Sequence, residues 1–307
     1  RDWSVTGVQT CALPIYVSRK EARIDPFDRG FIFGDGVYEG LRAFRGRVRA
    51  VDRHARRLRE SLAAARIDFD ADRLGPMSEA LLQANGLSDA FIYWQFTRGA
   101  PAPGQPVRAR LPDAMHPTVF GYALERPPIE ACAEPGTTTA ALVEDFRWKR
   151  GRVKAISLLG NIMAAIEARD HGADDAIFIT PDAHGSIADG LVGEATATNV
   201  FAVLPDAGAR TTIVTPDLES VSILAGVTRD ILLEKQPDII ERPIRAAELR
   251  NASEIMLCGT NTMIASVLSL DAKPVGDGRV GPVARRLARS LSEAIRAELD
   301  APVGVAH

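Results

Sequence analysis

The sequence predicts an α+β fold, on three observations. Segments with strand periodicity and segments with helix periodicity alternate without the regular strand–helix–strand rhythm of a doubly wound sheet. The chain has 307 residues, of which 46% are hydrophobic and 25% are charged, as is ordinary for a globular protein of one large or two modest domains. No glycine-rich dinucleotide-binding fingerprint is present.

The first fifteen residues are treated separately from the rest of the chain. The segment VTGVQTCALPI, Val5 to Ile15, resembles the translation of a common sequencing-library adapter. It lacks the basic stretch, apolar core and small-residue cleavage site of a secretory signal. We therefore predict that residues 1–15 are an artefact without a functional role, and that a native first strand is missing.

Residues 16–124 are predicted to form a small N-terminal α+β domain. A basic helix is expected from about Arg53 to Ala65 and a second one around Met77–Ala84. The segments AFIYWQFTRG and TVFGYAL have the composition of strands. Between them, residues 101–117 contain prolines and a glycine that forbid regular structure, which predicts a long loop with a functional role.

Residues 125–136, ERPPIEACAEPG, are predicted to be a linker to a larger C-terminal domain at residues 137–307. Strand and helix patterns alternate in this domain and end in an amphipathic helix. The segments that carry them are TTTAALVEDF, NIMAAIEARDHG, DAIFIT, TNVFAVL, ILAGVTRDILLEKQ and EIMLCG.

Charge and composition argue against several classes of partner. The net charge of -3 and the isoelectric point near 6.0 give no electrostatic footprint for nucleic acid. No apolar run is long enough to cross a bilayer, so we expect a cytosolic protein without a membrane partner. Cys132 and Cys258 are far apart, and the five histidines form no ligand pattern, so we expect no metal.

Lys154 is the residue with the clearest chemical potential. It ends the cationic and aromatic segment DFRWKRGRVK, and a lone glutamate, Glu194, follows forty residues later in GEATATNVF. A lysine that loses water among other cations holds its proton less tightly. Its neutral amine can then attack a carbonyl group.

Three further segments could together hold a phosphate. The segment GVTRD begins a helix, so the backbone amides of Val227 and Thr228 and the hydroxyl of Thr228 are available to an anion. Gly259 and Thr260 follow a strand in CGTN, and Arg57 lies in the basic helix. Alone, these features are also typical of a helix cap, a turn and a solvated face. Combined with a reactive lysine and an acid, they describe a site for pyridoxal phosphate.

The ordered motifs resemble those of the class IV aminotransferases. The matching segments are DRGFIFGDGVYE, DFRWKRGRVKAISLLGN, GEATATNVF, ILAGVTRD and the late GTN, and the resemblance runs from about Val17 to Leu291. It implies fold type IV, with a small N-terminal α/β domain and a larger C-terminal pseudo-barrel domain. It also implies a homodimer that binds pyridoxal 5'-phosphate and acts on amino acids and 2-oxo acids.

The resemblance assigns roles to individual residues. Lys154 is implied to bond with the cofactor aldehyde and to move a proton between Cα of the amino acid and C4′ of the cofactor. Glu194 is implied to pair with the pyridine nitrogen, while Leu224 packs on the ring. The full set of expected cofactor-binding residues is Arg57, Glu194, Asn199, Leu224, Val227, Thr228, Gly259 and Thr260.

The substrate class is predicted from three positions. Tyr38, and Tyr93 in IYWQFTRG, follow the pattern of D-amino acid transaminases, and Leu159 stands where branched-chain enzymes commonly have tyrosine. In the long loop, Arg108 and Arg110 replace the Arg-x-His pair of the D-type enzymes. Together with Tyr38 they are expected to bind the substrate carboxylate.

These features predict a transaminase that moves the amino group of a D-alanine-like amino acid to a 2-oxo acid such as 2-oxoglutarate. Three alternatives stay open. The segment EGLRAF resembles a branched-chain motif, which favours a branched-chain L-amino acid aminotransferase. An aminodeoxychorismate lyase uses the same lysine, and a catalytically silent relative that only binds the cofactor is the non-enzymatic alternative.

Overall fold

A computed structural model of the chain describes residues 3–8, 16–110, 115–205 and 211–301. By their internal contacts these residues form two compact units. One comprises Arg1–Pro128 and Val153–Leu158, and the other comprises Ile129–Arg152 and Leu159–His307. The short segment with Lys154 thus belongs to the first unit, although it lies in the chain after the start of the second.

The first unit contains a fully antiparallel sheet. In the part of the chain that the structure describes it has six strands in the order β2-β1-β6-β5-β3-β4. The strands are β1 (Trp3–Val8), β2 (Tyr16–Ser18), β3 (Gly36–Phe44), β4 (Arg47–Val48), β5 (Ala90–Thr97) and β6 (Thr118–Glu125). Strand β1 falls within the suspected artefact and pairs with β6.

Three α-helices accompany this sheet among the described residues: α1 (Arg29–Phe33), α2 (Val51–Ala65) and α3 (Leu74–Asn85). The two longer helices confirm the predicted ones, with starts two or three residues earlier. Helix α3 ends at Gly86, which has φ 64°, a left-handed conformation that glycine adopts without strain. The predicted loop is confirmed for residues 101–110 and 115–117, which contain neither helix nor strand.

The core of the first unit lies between the sheet and helices α2 and α3. Alternate residues of β5, among them Ile92, Trp94 and Phe96, are fully buried on this face. The Trp94 indole N–H donates to Ser78 Oγ of α3 at 2.9 Å, which satisfies the polar group of a buried side chain. Gly121 pairs with Trp94 across the sheet and leaves room for the ring.

The second unit contains a mixed sheet, with nine strands among the described residues. They are β7 (Gly136–Glu144), β8 (Asp175–Thr180), β9 (Leu191–Ala195), β10 (Asn199–Pro205), β11 (Thr211–Thr215), β12 (Ile239–Glu241), β13 (Glu254–Gly259), β14 (Met263–Leu270) and β15 (Lys273–Pro274). The order is β12-β11-β10-β13-β14-β7-β8-β9, and β15 pairs with β14. Strand β7 is parallel to both of its neighbours.

This second sheet curls back on itself. Strand β9 is at one end of the strand order, and β10 is third from the other end. The two strands nevertheless meet, because the amide of Ala195 at the end of β9 donates to Thr198 O, next to the start of β10, at 2.7 Å. The concave side is packed with buried aliphatic residues that include Ile177, Val200 and Leu257. The curled sheet therefore encloses the main core of the second unit.

Four α-helices of the described part of this unit pack around the curled sheet: α4 (Leu159–Asp170), α5 (Val227–Lys235), α6 (Ala246–Arg250) and α7 (Pro282–Asp300). Strand β8 is buried on both faces, because Ile177 points into the sheet core while Phe178 packs with Ala164 and Ala168 of α4. The predicted strands and helices of this unit are confirmed. Among the described residues, none of the helices is long and apolar enough to span a membrane.

Replacing Gly121 by alanine tests the packing of the first unit. A Cβ at this position would lie on the Trp94 ring, so we expect a loss of about 1–3 kcal/mol in the free energy of unfolding. Gly136→Ala is the matched control, because a Cβ there has no neighbour closer than 3.8 Å, and its effect should stay within about 0.5 kcal/mol. Urea denaturation of both variants measures the difference; equal stabilities would contradict the packing.

Candidate active site

Lys154 lies at the edge of the first unit's sheet. The amide of Tyr38 donates to Lys154 O at 2.9 Å, and the amide of Ile156 donates to Gly36 O at 3.1 Å. Val37 and Ala155 form an antiparallel bridge between them. Residues opposite each other in an antiparallel pair share one face, so Lys154 and Tyr38 project together. The half-buried Lys154 places Nζ 4.3 Å from the centroid of the Tyr38 ring.

Tyr38 is the first of three tyrosines that follow one another across β3, β5 and β6. The centroids of Tyr38 and Tyr93 are 5.5 Å apart, and those of Tyr93 and Tyr122 are 5.1 Å apart. The Tyr93 hydroxyl donates to Gln95 Oε1 at 2.9 Å. Burial raises the pKa of Tyr93, so this phenol keeps its proton as a hydrogen-bond donor.

The start of β3 is fixed by a carboxylate that the sequence analysis did not single out. Asp35 accepts hydrogen bonds from Arg98 Nε and Nη2, both at 2.9 Å, and from Arg29 Nε at 2.8 Å. Burial acts to raise the pKa of Asp35, but the bonds and charges of Arg98 and Arg29 outweigh it and lower the pKa. Arg98 also donates to Ala65 O at the end of α2.

Arg57 is buried and does not lie on a solvated helix face. Its Nε and Nη2 donate to the two carboxylate oxygens of Glu39, each at 2.8 Å. His54 Nδ1 lies 2.8 Å from the same carboxylate. Burial acts to raise the pKa of Glu39, yet the charge of Arg57 holds it well below its usual range. Burial lowers the pKa of His54, so the ionic pair is Glu39 with Arg57.

The two loop arginines are exposed. Arg108 has its guanidinium carbon 5.1 Å from the centroid of the Phe33 ring. Between the arginines, Ala109 O accepts from Arg29 Nη1 at 2.6 Å, which ties the loop to α1. The described contacts of Arg108 are thus with Phe33 rather than Tyr38. Arg110 is followed by residues 111–114, which lie outside the described part of the chain.

In the second unit, the carboxylate of Glu194 on β9 is fixed at both oxygens. Oε1 accepts from Arg147 Nη1 at 2.9 Å. Oε2 accepts from the amide of Leu224 at 3.0 Å and from Asn199 Nδ2 at 3.5 Å. The structure therefore brings together three of the residues predicted from the sequence, Glu194, Asn199 and Leu224.

Arg147 was not predicted and is the chief addition from the structure. It donates to both oxygens of Asp145 at 3.0 Å, and its guanidinium carbon lies 3.8 Å from the centroid of the Phe178 ring. Burial acts to lower the pKa of Arg147, but the hydrogen bond to Asp145 and the charges of Glu194 and Asp145 raise it. The signal in the sequence was the DxR spacing that precedes Lys154.

The start of helix α5 offers hydrogen-bond donors to an acceptor outside the helix. Gly226 is the residue before the helix and provides no side-chain cap. The amides of a first helical turn, here including Val227 and Thr228, have no partners within the helix. Thr228 is buried, and in the part of the chain that the structure describes its Oγ1 has no hydrogen-bond partner. A side chain at Gly226 would collide with Asn199 Oδ1.

The turn after β13 lies next to the start of β10, which carries Asn199. Asn199 pairs with Cys258 in the register of β10 and β13, and Gly259 ends β13. A Cβ at Gly259 would lie 3.0 Å from Thr198 Cγ2, so the glycine allows close contact with Thr198. Half-buried Thr260 follows in the turn. Burial raises the pKa of Cys258 to about 12, which keeps its thiol protonated.

The arrangement is suited to an anionic, aromatic cofactor. The described residues contain no group of three or more His, Cys, Asp or Glu that could hold an ion. A buried hydroxyl and free amide donors at a helix N-terminus suit a phosphate. A carboxylate kept ionised by an arginine suits a protonated ring nitrogen.

The chain belongs to the class IV aminotransferases. The family model described as amino-transferase class IV matches residues 36–270. Members of this family depend on pyridoxal 5'-phosphate, so the protein is a pyridoxal-phosphate-dependent aminotransferase of fold type IV. Its substrates are accordingly amino acids and 2-oxo acids.

Two relatives carry different names. A D-alanine aminotransferase of Staphylococcus haemolyticus is 31% identical over 289 residues, which cover 91% of this chain and 95% of that protein. A putative branched-chain-amino-acid aminotransferase of Methanocaldococcus jannaschii is 29% identical over 287 residues, covering 91% and 93%. Both groups of enzymes thus resemble this chain over almost its full length.

Solved structures share the fold. The branched-chain aminotransferase of Escherichia coli superimposes with a TM-score of 0.78 at 23% identity, covering 96% of this chain and 94% of that one. The branched-chain aminotransferase of Thermoproteus uzoniensis, solved with norvaline, gives a TM-score of 0.76 at 26% identity, covering 93% and 94%.

Replacing Arg147 by methionine tests how Glu194 is held. The change leaves the half-buried carboxylate of Asp145 and the buried carboxylate of Glu194 without their cation, so we expect a loss of about 3 kcal/mol in the free energy of unfolding at pH 7. The deficit should therefore shrink as the pH falls from about 7 to about 5, because protonation removes the unpaired charge.

Arg150→Met is the matched control for this variant, since Arg150 lies in the same segment and is exposed. Its effect should stay within about 0.5 kcal/mol. Both variants are compared with the wild type by urea denaturation at the two pH values. A deficit in the Arg147 variant that does not change with pH would contradict an ionic role.

Proposed function

We propose that this enzyme is a D-amino acid transaminase, which transfers the amino group of a D-alanine-like donor to a 2-oxo acid such as 2-oxoglutarate. The observation that carries the proposal is the 4.3 Å contact between Lys154 Nζ and the ring of Tyr38, with Tyr93 beside it. Tyr38 and Tyr93 follow the D-type pattern. The 31% identity to a D-alanine aminotransferase over most of the chain supports the same choice.

The side chains present fit the family's cofactor. Thr228, with its unpartnered hydroxyl, and the neighbouring amide of Val227 are assigned to the phosphate, together with Thr260 and Arg57. When bound, pyridoxal phosphate supplies an aldehyde carbon that receives the amino nitrogen and a ring that withdraws electrons from Cα. Glu194 is assigned to the ring nitrogen, because its carboxylate is paired with Arg147 at 2.9 Å.

Three neighbours of these groups have supporting roles in the proposal. Asn199 orients Glu194 through Nδ2, and it also donates to Leu224 O at 3.0 Å. Half-buried Leu224 offers an apolar side chain to the cofactor ring while its amide holds Glu194. Gly259 allows the turn before Thr260 to approach Thr198 closely.

Lys154 would be the base that takes the proton from Cα of the amino acid and delivers it to C4′ of the cofactor. Because its backbone is hydrogen-bonded to β3, its amine is held over Tyr38. We assign the substrate carboxylate to the Tyr38 hydroxyl and to Arg108 and Arg110. A guanidinium presents paired N–H donors in a plane, which match the two oxygens of a carboxylate.

A branched-chain L-amino acid aminotransferase is the second candidate. The segment EGLRAF, the Methanocaldococcus jannaschii relative and the Thermoproteus uzoniensis structure with norvaline favour it. Leu159, which replaces the tyrosine common in that group, argues against it. A lyase acting on aminodeoxychorismate and a silent cofactor-binding relative rank below both. Homodimer formation and a cytosolic location remain predictions.

Borohydride reduction tests the role of Lys154. We expect reduction of the enzyme with bound pyridoxal phosphate to attach the cofactor permanently to Lys154, as read by peptide mapping. The Lys154→Ala variant should lose the label and its transaminase activity. Lys149→Ala, which changes an exposed lysine of the same segment, should keep both. A label on another lysine would disprove the assignment.

A substrate panel tests the donor class. We expect D-alanine with 2-oxoglutarate to yield pyruvate and glutamate, with kcat/KM at least about tenfold above that for L-leucine. Pyruvate released from aminodeoxychorismate without an acceptor would instead identify a lyase. Faster turnover of L-leucine would favour the branched-chain candidate.

Arg108 and Arg110 should contribute to the binding of D-alanine, which the same assay measures as KM. Loss of a hydrogen bond to a charged group costs about 1.5–3 kcal/mol, so Arg108→Ala or Arg110→Ala should raise KM for D-alanine about 10- to 100-fold with little change in kcat. Arg59→Ala, which removes an exposed pair with Asp72, is the control. Unchanged KM in both loop variants would remove these arginines from the carboxylate site.

A further inference from the structure

Glu39 is a fully buried carboxylate to which the proposed reaction gives no role. It follows Tyr38 on β3, and neighbouring residues of a strand point to opposite faces of the sheet. Glu39 therefore projects away from the Lys154 side and toward helix α2, where its bonding partners lie. A charge removed from water is unfavourable unless it is paired and hydrogen-bonded. The partners of Glu39 thus indicate what the carboxylate does.

Two side chains of α2 hold the carboxylate of Glu39. Arg57 donates to both oxygens, from Nε to Oε1 and from Nη2 to Oε2, each at 2.8 Å. Burial lowers the pKa of His54, so the neutral ring carries one N–H group. Nδ1 of this ring lies 2.8 Å from Oε2 and is placed to donate that proton. These bonds fix the carboxylate against α2.

The pair with Glu39 fixes Arg57 in turn. Two parallel N–H bonds that point at two carboxylate oxygens set both the position and the plane of a guanidinium. They thereby set the directions of the N–H bonds that do not face Glu39. An arginine side chain has many rotamers, and holding it in one of them before a ligand binds removes an entropic cost of binding.

The same two elements, β3 and α2, also hold the backbone of Lys154. Tyr38, next to Glu39 on β3, donates its amide to Lys154 O at 2.9 Å. Ser61, about one helical turn after Arg57 on α2, accepts from the amide of Lys154 at Oγ, at 3.2 Å. The N–H and C=O groups of Lys154 are therefore bonded to the two elements that carry the Glu39–Arg57 pair.

We propose that Glu39 is a positioning residue, which holds the guanidinium of Arg57 in the orientation that binds the cofactor phosphate. Because β3 and α2 also hold Lys154, they set the distance between the amine that meets the aldehyde and the cation that meets the phosphate. The cofactor ring is rigid, so this distance must be constant. The inference rests on the proposed function, from which it takes the assignment of Arg57 to the phosphate.

A purely structural ion pair would affect ligands differently. Pairing two buried charges gains about as much free energy as their removal from water costs, so a buried pair alone says little about stability. If Glu39 only maintained the fold, its loss would weaken the binding of every ligand of the site. If it positions Arg57, its loss weakens the binding of ligands that carry a phosphate.

Glu39→Gln tests the proposal with two ligands, pyridoxal phosphate and pyridoxal, which lacks the phosphate. Titration of cofactor-free protein, followed by the absorbance of the bound ring, gives both dissociation constants. Glutamine keeps the size of the side chain but loses the charge and one acceptor oxygen. We expect Kd for pyridoxal phosphate to rise about 10- to 100-fold, as for a lost hydrogen bond to a charged group, and Kd for pyridoxal to change less than about twofold.

Glu254→Gln is the matched control, because it also neutralises a buried carboxylate, which accepts from the amides of Val283 and Ala284 in the second unit. Its ratio of the two dissociation constants should equal that of the wild type. A second variant, Glu39→Asp, keeps the charge beside Arg57 and so avoids an unpaired buried cation that opposes folding. Its shorter side chain displaces the guanidinium, so the preference for pyridoxal phosphate should still fall at least about threefold.

Arg57→Gln separates this inference from the assignment on which it rests. This variant should lose the same preference, and adding Glu39→Gln to it should have no further effect. A preference lost in Arg57→Gln but kept in both Glu39 variants would overturn the positioning role alone. A preference kept in Arg57→Gln would overturn the phosphate assignment and the inference with it.

Equal losses of affinity for the two ligands in Glu39→Gln would show a structural role and would also overturn the inference. The titrations contain no amino acid, so they are independent of whether D-alanine or L-leucine is the better donor. A donor panel that favours L-leucine would overturn the proposed substrate and leave the role of Glu39 in place.

Discussion

The short backbone pairing between residues 153–156 and strand β3 is the constraint on which the placement of Lys154 beside Tyr38 depends. Two hydrogen bonds, between Tyr38 and Lys154 and between Ile156 and Gly36, set the register of this pairing. The register places the Lys154 side chain on the same face of the sheet as Tyr38. A shift by one residue would turn the lysine to the opposite face, where Glu39 and Arg57 are buried. The clamp of Arg98 and Arg29 on Asp35 holds the beginning of β3 for this pairing.

In the second unit, the carboxylate of Glu194 is buried and needs a cationic partner. Arg147 supplies the compensating charge, and Asp145 and the Phe178 ring hold Arg147 in position. The amide of Leu224 donates a hydrogen bond to the other oxygen of Glu194. Each bonding partner is itself fixed by packing, so the carboxylate is organised before any ligand arrives. Such preorganisation lowers the entropy lost on binding.

Sequence reasoning predicted those parts of the molecule that local patterns encode. The helices α2 and α3, the alternating strand β5 and the start of α5 at Val227 all follow from periodicity and capping. Lys154 and Glu194 were singled out as candidate site residues because their motifs are local. Arg147, Glu39 and Asp35 were missed, because an ion pair between residues distant in the chain leaves no periodic signal. The contacts of the 153–158 segment with the first unit could not be predicted for the same reason.

The chain passes between its two units three times, after residues 128, 152 and 158. No single cut therefore yields either unit whole. A fragment that ends at the first passage lacks the lysine-bearing edge of its own sheet, and the remaining fragment carries six residues that belong elsewhere. Chimaeras assembled from two members of this family need three matched junctions, and the exchange of one half at a linear boundary would separate Lys154 from Tyr38.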